Sequence, residues 1–203
     1  MLPAEEIRLL KSFYKEEGIS DLLEYFIDYS HIKDTKFREY LESINRKMIK
    51  ARIRNDFGEY CRCAFMQIEA MTIKYVNLKP LDNLKSYVQR FEEKLLLNEK
   101  LEDKKYIEKV PLYIKIKYFL KSNSTDFDPS DPFGQNKQNR KPDDIYSLNS
   151  FISNLNELRN YLSHGDADRE LDDYSKRILR DKDWNKIKQK IGDYYQFILK
   201  NKI

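Results

Sequence analysis

Apolar side chains recur at steps of three and four residues along most of this 203-residue chain. That spacing gathers them on one face of an α-helix, as it does from Leu148 to Leu162. Residues 112–120 alone alternate as a strand would, but no second strand pattern is available to pair with them. Only five glycines and six prolines interrupt the chain. The sequence therefore predicts an all-α fold, an antiparallel bundle of helices.

Capping residues and prolines divide this pattern into separate helices. A basic helix is expected from about Asp34, and Asn55 or Asp56 is expected to start the longest helix. Pro80 must end that helix, because proline cannot continue one. Two further helical segments are expected at about 82–100 and 103–121. The second contains Pro111, which predicts a break or kink there.

Residues 122–144 differ in composition from the rest of the chain. They are rich in Ser, Asn, Asp and Pro and almost free of apolar side chains, which predicts a long exposed loop. We read 1–203 as a single helical domain in which this loop is an insertion. Residues 1–50 add N-terminal helices to it. Asp143 or Asp144 caps the helix after the loop, and a final helical pair follows residue 173.

Composition limits the classes of function. Lys and Arg exceed Asp and Glu by 38 − 34 = 4, an excess too small to indicate nucleic-acid binding by itself. No charged and then apolar leader opens the chain, and no apolar run approaches the ~20 residues of a membrane span. We therefore expect a soluble, cytoplasmic protein.

The cysteines and one of the two histidines have structural interpretations. Cys61 and Cys63 are too few for a disulfide framework and lack zinc-binding partners at suitable spacing. We predict that both are packing thiols in a reducing compartment. His31 is expected at a helix edge in a structural role. No Asp, Glu and His cluster has metal-ligand spacing, so neither a metal nor a cofactor is predicted.

Arg159, Asn160 and His164 stand together near the end of the late helix. Arginine is a permanent cation that binds phosphate, and histidine exchanges protons near neutral pH. On an ideal helix Asn160 and His164 are neighbours, whereas Arg159 and His164 are about 140° apart. Arg159 and His164 can converge if the helix unwinds at Ser163 to Gly165, or if a second subunit contributes. Alternatively, His164 satisfies the last helix carbonyls and Arg159 pairs with a carboxylate.

Basic side chains cluster in two other places. Five of them follow one another without an intervening acid: Arg46, Lys47, Lys50, Arg52 and Arg54. Three more lie in the 122–144 loop: Lys137, Arg140 and Lys141. These sets are either solvated faces or a track for the phosphates of RNA.

The run of residues 155–165 resembles the motif of the HEPN superfamily, small all-helical domains that include many ribonucleases of toxin–antitoxin, CRISPR and abortive-infection systems. The match lies in Arg159, Asn160 and His164, and Glu69 resembles the frequent acidic residue of an earlier family helix. The resemblance implies a homodimer formed through the motif helices. It also implies metal-independent RNA cleavage, in which the ribose 2′-hydroxyl attacks the adjacent phosphate and leaves a cyclic phosphate. His164 would be the general acid or base, Arg159 the phosphate ligand and Asn160 an orienting residue.

Asp166 departs from the pattern, because many family toxins carry tyrosine there as the target of a modifying antitoxin. The resemblance therefore implies an antitoxin or defence-system partner without implying that modification. Two alternatives stay open. One is a HEPN-like scaffold that binds a nucleotide or a protein without catalysis, and the other is a helical interaction protein with a coincidental motif.

Overall fold

The computed structural model describes residues 26–91, 103–122, 144–164 and 171–200, and every regular element within those ranges is an α-helix. The all-α prediction is confirmed for this part of the chain. The N-terminal helices expected before residue 26 and most of the 122–144 loop lie outside the described residues. The helices are α1 (Thr35–Ile53), α2 (Phe57–Asn77), α3 (Leu81–Phe91), α4 (Asp103–Lys109), α5 (Leu112–Ser122), α6 (Asp144–His164), α7 (Asp173–Asp181) and α8 (Trp184–Lys200).

Helices α1 and α2 begin near the positions expected from the sequence, and each is capped by an aspartate. The Asp34 carboxylate accepts a hydrogen bond from the backbone N–H of Phe37 at 3.1 Å. The Asp56 carboxylate accepts one from the N–H of Glu59 at 2.9 Å. Each bond satisfies a backbone donor that the first turn of a helix leaves without a partner. Helix α2 ends before Pro80, and the break predicted at Pro111 separates α4 from α5.

Residues 26–33 are not helical, so the expected position of His31 at a helix edge is wrong. The Asp28 carboxylate accepts a hydrogen bond from the N–H of Ser30 at 2.8 Å, and the N–H of Ile32 donates to the carbonyl of Tyr29 at 3.0 Å. Short polar side chains that bind nearby backbone in this way favour turns over helices. His31 is exposed in this turn.

Helix α2 occupies the centre of the structure, where it contacts α1, α3, α5, α6 and α8. Its buried residues are distributed around more than one face: Phe57, Tyr60, Cys61, Cys63, Ala64, Phe65, Gln67, Ile68, Met71, Thr72, Tyr75 and Val76. Burying each large apolar side chain contributes roughly 1.5–3 kcal/mol relative to leaving it in water. The central position of α2 is therefore a main source of the stability of the fold.

Helices α1 and α6 run antiparallel to α2. The Lys74 ammonium near the end of α2 pairs with Asp34, the N-cap of α1. Phe65 in the first half of α2 lies beneath Arg159 in the last turns of α6. Leu162 near the end of α6 also lies beside Gly58 at the start of α2. In each pair the beginning of one helix thus lies at the end of the other, as an antiparallel pair requires.

Helices α5 and α8 instead run in the same direction as α2. The Tyr60 hydroxyl donates to the carbonyl of Trp184 at 3.1 Å, so the two helix starts lie together. Toward the other end of α2, Thr72 shares a hydrogen bond with Tyr194 of α8. For α5, the ring of Phe119 near its end meets the ring of Tyr75 near the end of α2, edge to face with centroids 4.4 Å apart. The arrangement thus differs from a purely antiparallel bundle. The chain returns to the start of α2 before α5 begins, over a stretch that includes α3 and α4. Helix α6 ends and α8 begins at that same end of α2, with α7 between them.

Among the helices of the described ranges, none has both the length and the apolar character that crossing a bilayer demands. The cytoplasmic location stays a prediction.

Candidate functional site

Helices α2, α5 and α6 border a surface cleft with a volume of about 460 Å³. Its lining mixes apolar, aromatic and polar side chains: Phe65, Glu69, Leu112, Tyr113, Ile116, Lys117, Ile152, Ser153, Asn156, Arg159 and Asn160. Small-ligand sites are usually concave and combine apolar walls with polar groups, and here six of the eleven lining residues are polar or charged. Three residues that the sequence singled out, Glu69, Arg159 and Asn160, belong to this one lining.

Helical spacing explains why each element contributes the residues that it does. On α2, Phe65 and Glu69 are four residues apart and therefore lie on the same face. On α5, Tyr113 and Lys117 are related in the same way. On α6, the lining positions recur at steps of three and four from Ile152 to Asn160. The cleft is thus the place where three such faces meet.

Arg159 is held by an aromatic ring and by its neighbour in sequence. Its guanidinium carbon lies 4.7 Å from the centroid of the Phe65 ring. Its Nε donates to the Asn160 side-chain oxygen at 3.3 Å. A stacked cation of this kind is stabilised by the ring quadrupole while its edge stays available for hydrogen bonds. The alternative in which Arg159 pairs with a carboxylate is not found, since no described carboxylate forms an ion pair with it.

The charges that line the cleft favour an anion. The described lining contains two cations, Arg159 and Lys117, and one carboxylate, Glu69. Lys115, buried beneath the surface of α5, has a lowered pKa because burial disfavours its cation, while the nearby Glu69 and Glu108 partly oppose that shift. Part of the negative charge of Glu69 is therefore offset by a lysine behind the cleft, and the lining keeps a positive excess.

His164 is the last residue of α6, so the helix is intact up to that position. The unwinding at Ser163 and His164 that would bring Arg159 and His164 together is therefore absent, and Gly165 lies outside the described residues. In an intact helix, positions 159 and 164 are about 140° apart around the axis and about 7.5 Å apart along it. The side chain of His164 is likewise outside the described part of the chain. Of the two routes considered for convergence, the contribution of a second copy is the one that an intact helix leaves open.

The predicted basic track on α1 lies away from the cleft. Lys47, Lys50 and Arg54 are exposed, whereas Arg46 and Arg52 are half-buried. The Arg52 guanidinium lies 4.6 Å from the centroid of the Trp184 ring, so this residue also packs α1 against α8. None of the five belongs to the described lining of the cleft. The other three basic residues, Lys137, Arg140 and Lys141, fall outside the described residues.

Cys61 and Cys63 are both buried and free. Burial raises the pKa of the Cys63 thiol to about 12, and it raises the pKa of Cys61 as well. A thiol must ionise to act as a nucleophile or a metal ligand, so burial disfavours both roles and agrees with packing thiols.

Sequence reasoning missed part of the lining, namely Phe65, Tyr113, Lys117, Ser153 and Asn156. A signal existed for Asn156, which stands one turn before Asn160 on the motif helix, and for Phe65, one turn before Glu69. No comparable signal existed for Tyr113 and Lys117, because only the packing of α5 against α2 and α6 brings them to the motif.

Comparisons of the chain with protein-family models, with curated proteins and with solved structures found no match. The likeness to HEPN proteins therefore rests on the motif residues, and membership of that superfamily stays a prediction.

Proposed function

We propose that this protein is a metal-independent endoribonuclease of the HEPN type that acts as a homodimer, in a toxin or defence role. The observation that supports the proposal is the meeting of Arg159, Asn160 and Glu69 in one positively charged cleft. Two of these residues come from α6 and one from α2, so the residues that carry the resemblance in sequence line the same cleft. A cation stacked on Phe65 at the edge of that surface suits a phosphate ligand.

The proposed reaction needs no co-reactant. The ribose 2′-oxygen bonds to the adjacent phosphorus as the bond from phosphorus to the 5′-oxygen breaks. One imidazole accepts the 2′-hydroxyl proton, and a second donates a proton to the departing 5′-oxygen. The products are a 2′,3′-cyclic phosphate and a 5′-hydroxyl. Arg159 stabilises the charge that develops on the non-bridging phosphate oxygens, as preorganised donors do in other phosphoryl reactions.

Two copies of His164 would provide the two proton transfers, one from each subunit. The intact helix α6 supports this assignment, because a single copy separates its arginine and histidine around the helix. Asn160 holds Arg159 through the hydrogen bond to Nε and orients it toward the phosphate. In the dimer, α6 of each subunit would face the same symmetry axis.

The test compares the purified wild-type protein with the His164→Ala variant on a 5′-labelled single-stranded RNA in the presence of EDTA. Wild type should produce fragments that end in a cyclic phosphate. The variant should be slower by roughly 10²–10⁴-fold, the usual contribution of a general acid or base. His31→Ala is the matched control, since it removes the other histidine from an exposed turn and should retain full activity. Absence of cleavage by wild type, or equal rates for wild type and His164→Ala, would refute the proposal.

A second candidate function is non-catalytic binding of a nucleotide or a partner protein. The exposed ring of Tyr113 favours it, because that ring offers a binding surface that does not depend on His164. It predicts stoichiometric binding without cleavage, with Arg159 contributing to affinity alone.

A further inference from the structure

We propose that helix α5 provides a subsite for one unpaired nucleotide, in which Tyr113 stacks on the base and Lys117 binds the phosphate next to Arg159. The inference rests on the proposed function for the identity of the substrate, a single-stranded RNA. It adds residues that lie outside the motif helix, and it divides the cleft into a base-binding part and a phosphate-binding part.

The first argument is the exposure of Tyr113. Its side chain is 56% exposed, whereas most aromatic residues of the described ranges are buried in the core. The other large apolar side chains with high exposure are Tyr40, Ile53 and Leu78, and none of them belongs to the described lining of the cleft. An aromatic ring kept in water at the mouth of a cleft is a surface on which a base can stack, because every base has a π-face.

The second argument is the position of Lys117. Its ammonium lies 5.3 Å from the centroid of the Tyr113 ring, one helical turn further along α5. The cation therefore sits over one face of the ring, and the exposure of Tyr113 leaves the other face for a base. Because Lys117 and Arg159 line the same cleft, a phosphate that flanks the stacked base can bind there between α5 and α6.

The opposite wall has groups suited to the edge of a base. Ser153 and Asn156 of α6 line the same cleft, two turns and one turn before Asn160 respectively. A side-chain amide both donates and accepts hydrogen bonds, as does a hydroxyl, so this wall can pair with any of the four bases. Along α6 the order is then a base-binding part at 153–156, a phosphate-binding part at Arg159, and the motif end at His164.

The size of the cleft sets the class of ligand. A volume of about 460 Å³ lies within the ~300–1,000 Å³ of sites that enclose one small molecule. One nucleotide fits this range, and a duplex does not offer a free base face to Tyr113. Stacking and phosphate contacts do not distinguish ribose from deoxyribose. A DNA strand that cannot be cleaved therefore reports on the subsite alone.

The experiment measures binding of a fluorescein-labelled single-stranded DNA octamer by fluorescence anisotropy. Tyr113→Ala should weaken binding roughly tenfold, in line with the loss of one stacked base, whereas Tyr113→Phe should keep most of the affinity. The control Tyr40→Ala removes another exposed tyrosine, on α1, and should not change affinity. Circular dichroism verifies that each variant is folded, which we expect because both tyrosines are exposed.

A second pair of variants tests the phosphate contact. Lys117→Ala should weaken binding and reduce the slope of log affinity against log salt by about 1, as expected for one lost phosphate contact. Lys79→Ala is its control, because the Lys79 ammonium also lies over a tyrosine ring, at 4.8 Å from the centroid of Tyr75, but outside the described lining. That variant should leave both affinity and salt slope unchanged.

Competition with the four nucleoside monophosphates separates two sources of the ligand. If a monophosphate displaces the octamer, a free nucleotide is sufficient to occupy the subsite. If octamer binding depends on Tyr113 but no monophosphate displaces it, the subsite binds a nucleotide within a strand. Either result supports the subsite. Equal octamer affinity of wild type and Tyr113→Ala, or no binding by wild type, overturns it.

The same variants separate this inference from the proposed nuclease. If the wild type cleaves RNA and Tyr113→Ala has an unchanged KM, the subsite is wrong and the nuclease stands. If octamer binding depends on Tyr113 but RNA stays intact, the nuclease is wrong and the subsite stands.

Discussion

At the scale of single residues, Arg159 shows how a charge is tolerated beside an apolar stripe. The residues around it on α6, Leu155 and Leu158, are buried. The guanidinium does not bury itself with them but lies over Phe65, with one hydrogen bond to Asn160. A planar cation can do this because its faces are weakly hydrated and its edge carries the donors. The packing of residue 159 against Phe65 thus depends on the planar shape of arginine as well as on its charge.

Replacement of Arg159 by lysine tests this dependence. Arg159→Lys keeps a positive charge but loses the planar stack on Phe65 and the Nε–H donor to Asn160. If Arg159 is the phosphate ligand, we expect RNA cleavage to fall by about 10²-fold, close to the loss in Arg159→Ala. Single-turnover kinetics measure the effect, and the melting temperature checks that folding is retained. A lysine variant with wild-type activity would show that charge alone suffices.

At the scale of elements, the N-cap of α2 deserves a direct measurement because this helix is central. Asp56→Ala removes the acceptor of the Glu59 N–H and should lower the free energy of unfolding by about 1 kcal/mol. Asp56→Asn keeps a side-chain oxygen in place and should cost clearly less. Urea unfolding followed by circular dichroism gives both values. Equal stability of Asp56→Ala and wild type would contradict a capping role.

Local chemistry explains which elements could be predicted from the sequence. The helix starts near Asp34 and Asp56 could be predicted because a helix start depends on residues within one turn of it. Pro111 was identifiable as a break because proline lacks the N–H that a helix needs. Periodicity misplaces His31 because the apolar residues before it have helical spacing. The Asp28 carboxylate, however, binds the backbone N–H of Ser30 and so favours a turn.

The candidate site could be predicted only where it follows the motif helix. The adjacency of Arg159 and Asn160 and their place beside the apolar stripe follow from helical spacing. The stacking of Arg159 on Phe65 could not be inferred, since it depends on the register of α6 against α2. Tyr113 and Lys117 depend on a third helix, whose direction relative to α2 is set by tertiary packing.

At the scale of the whole molecule, buried tyrosines connect the helices. Tyr29 donates a hydrogen bond to Gln67 of α2, and its ring meets that of Tyr195 of α8 at 4.9 Å between centroids. Tyr194 of α8 shares a hydrogen bond with Thr72 of α2. These contacts join the segment before α1, the central helix and the last helix. Their phenols therefore sit inside the core, away from water.

Alkaline pH should destabilise the fold through these phenols. Burial, the largest cause in each case, raises the pKa of Tyr118 and Tyr195 to about 12 and that of Tyr29 and Tyr194 above its usual range. A raised pKa means that the folded state favours the neutral phenol. The associated stability is complete below the unfolded value of about 10 and is lost as pH rises through the folded values.

A spectrophotometric titration measures this effect. Absorbance at 295 nm, which reports ionised tyrosine, should rise in more than one step. The last step should coincide with loss of the helical circular dichroism signal. A single step near pH 10 that leaves the helical signal intact would contradict the burial of these side chains.

The enclosure of α2 by five neighbouring helices has a consequence for any molecule that enters the cleft. Phe65 and Glu69 form its floor on this helix, whose amides should be among the slowest to exchange with deuterium in the described ranges. A ligand would then meet a preorganised floor and would spend little of its affinity on ordering it. The side chains at the edge of the cleft, rather than its floor, would then adjust to different ligands.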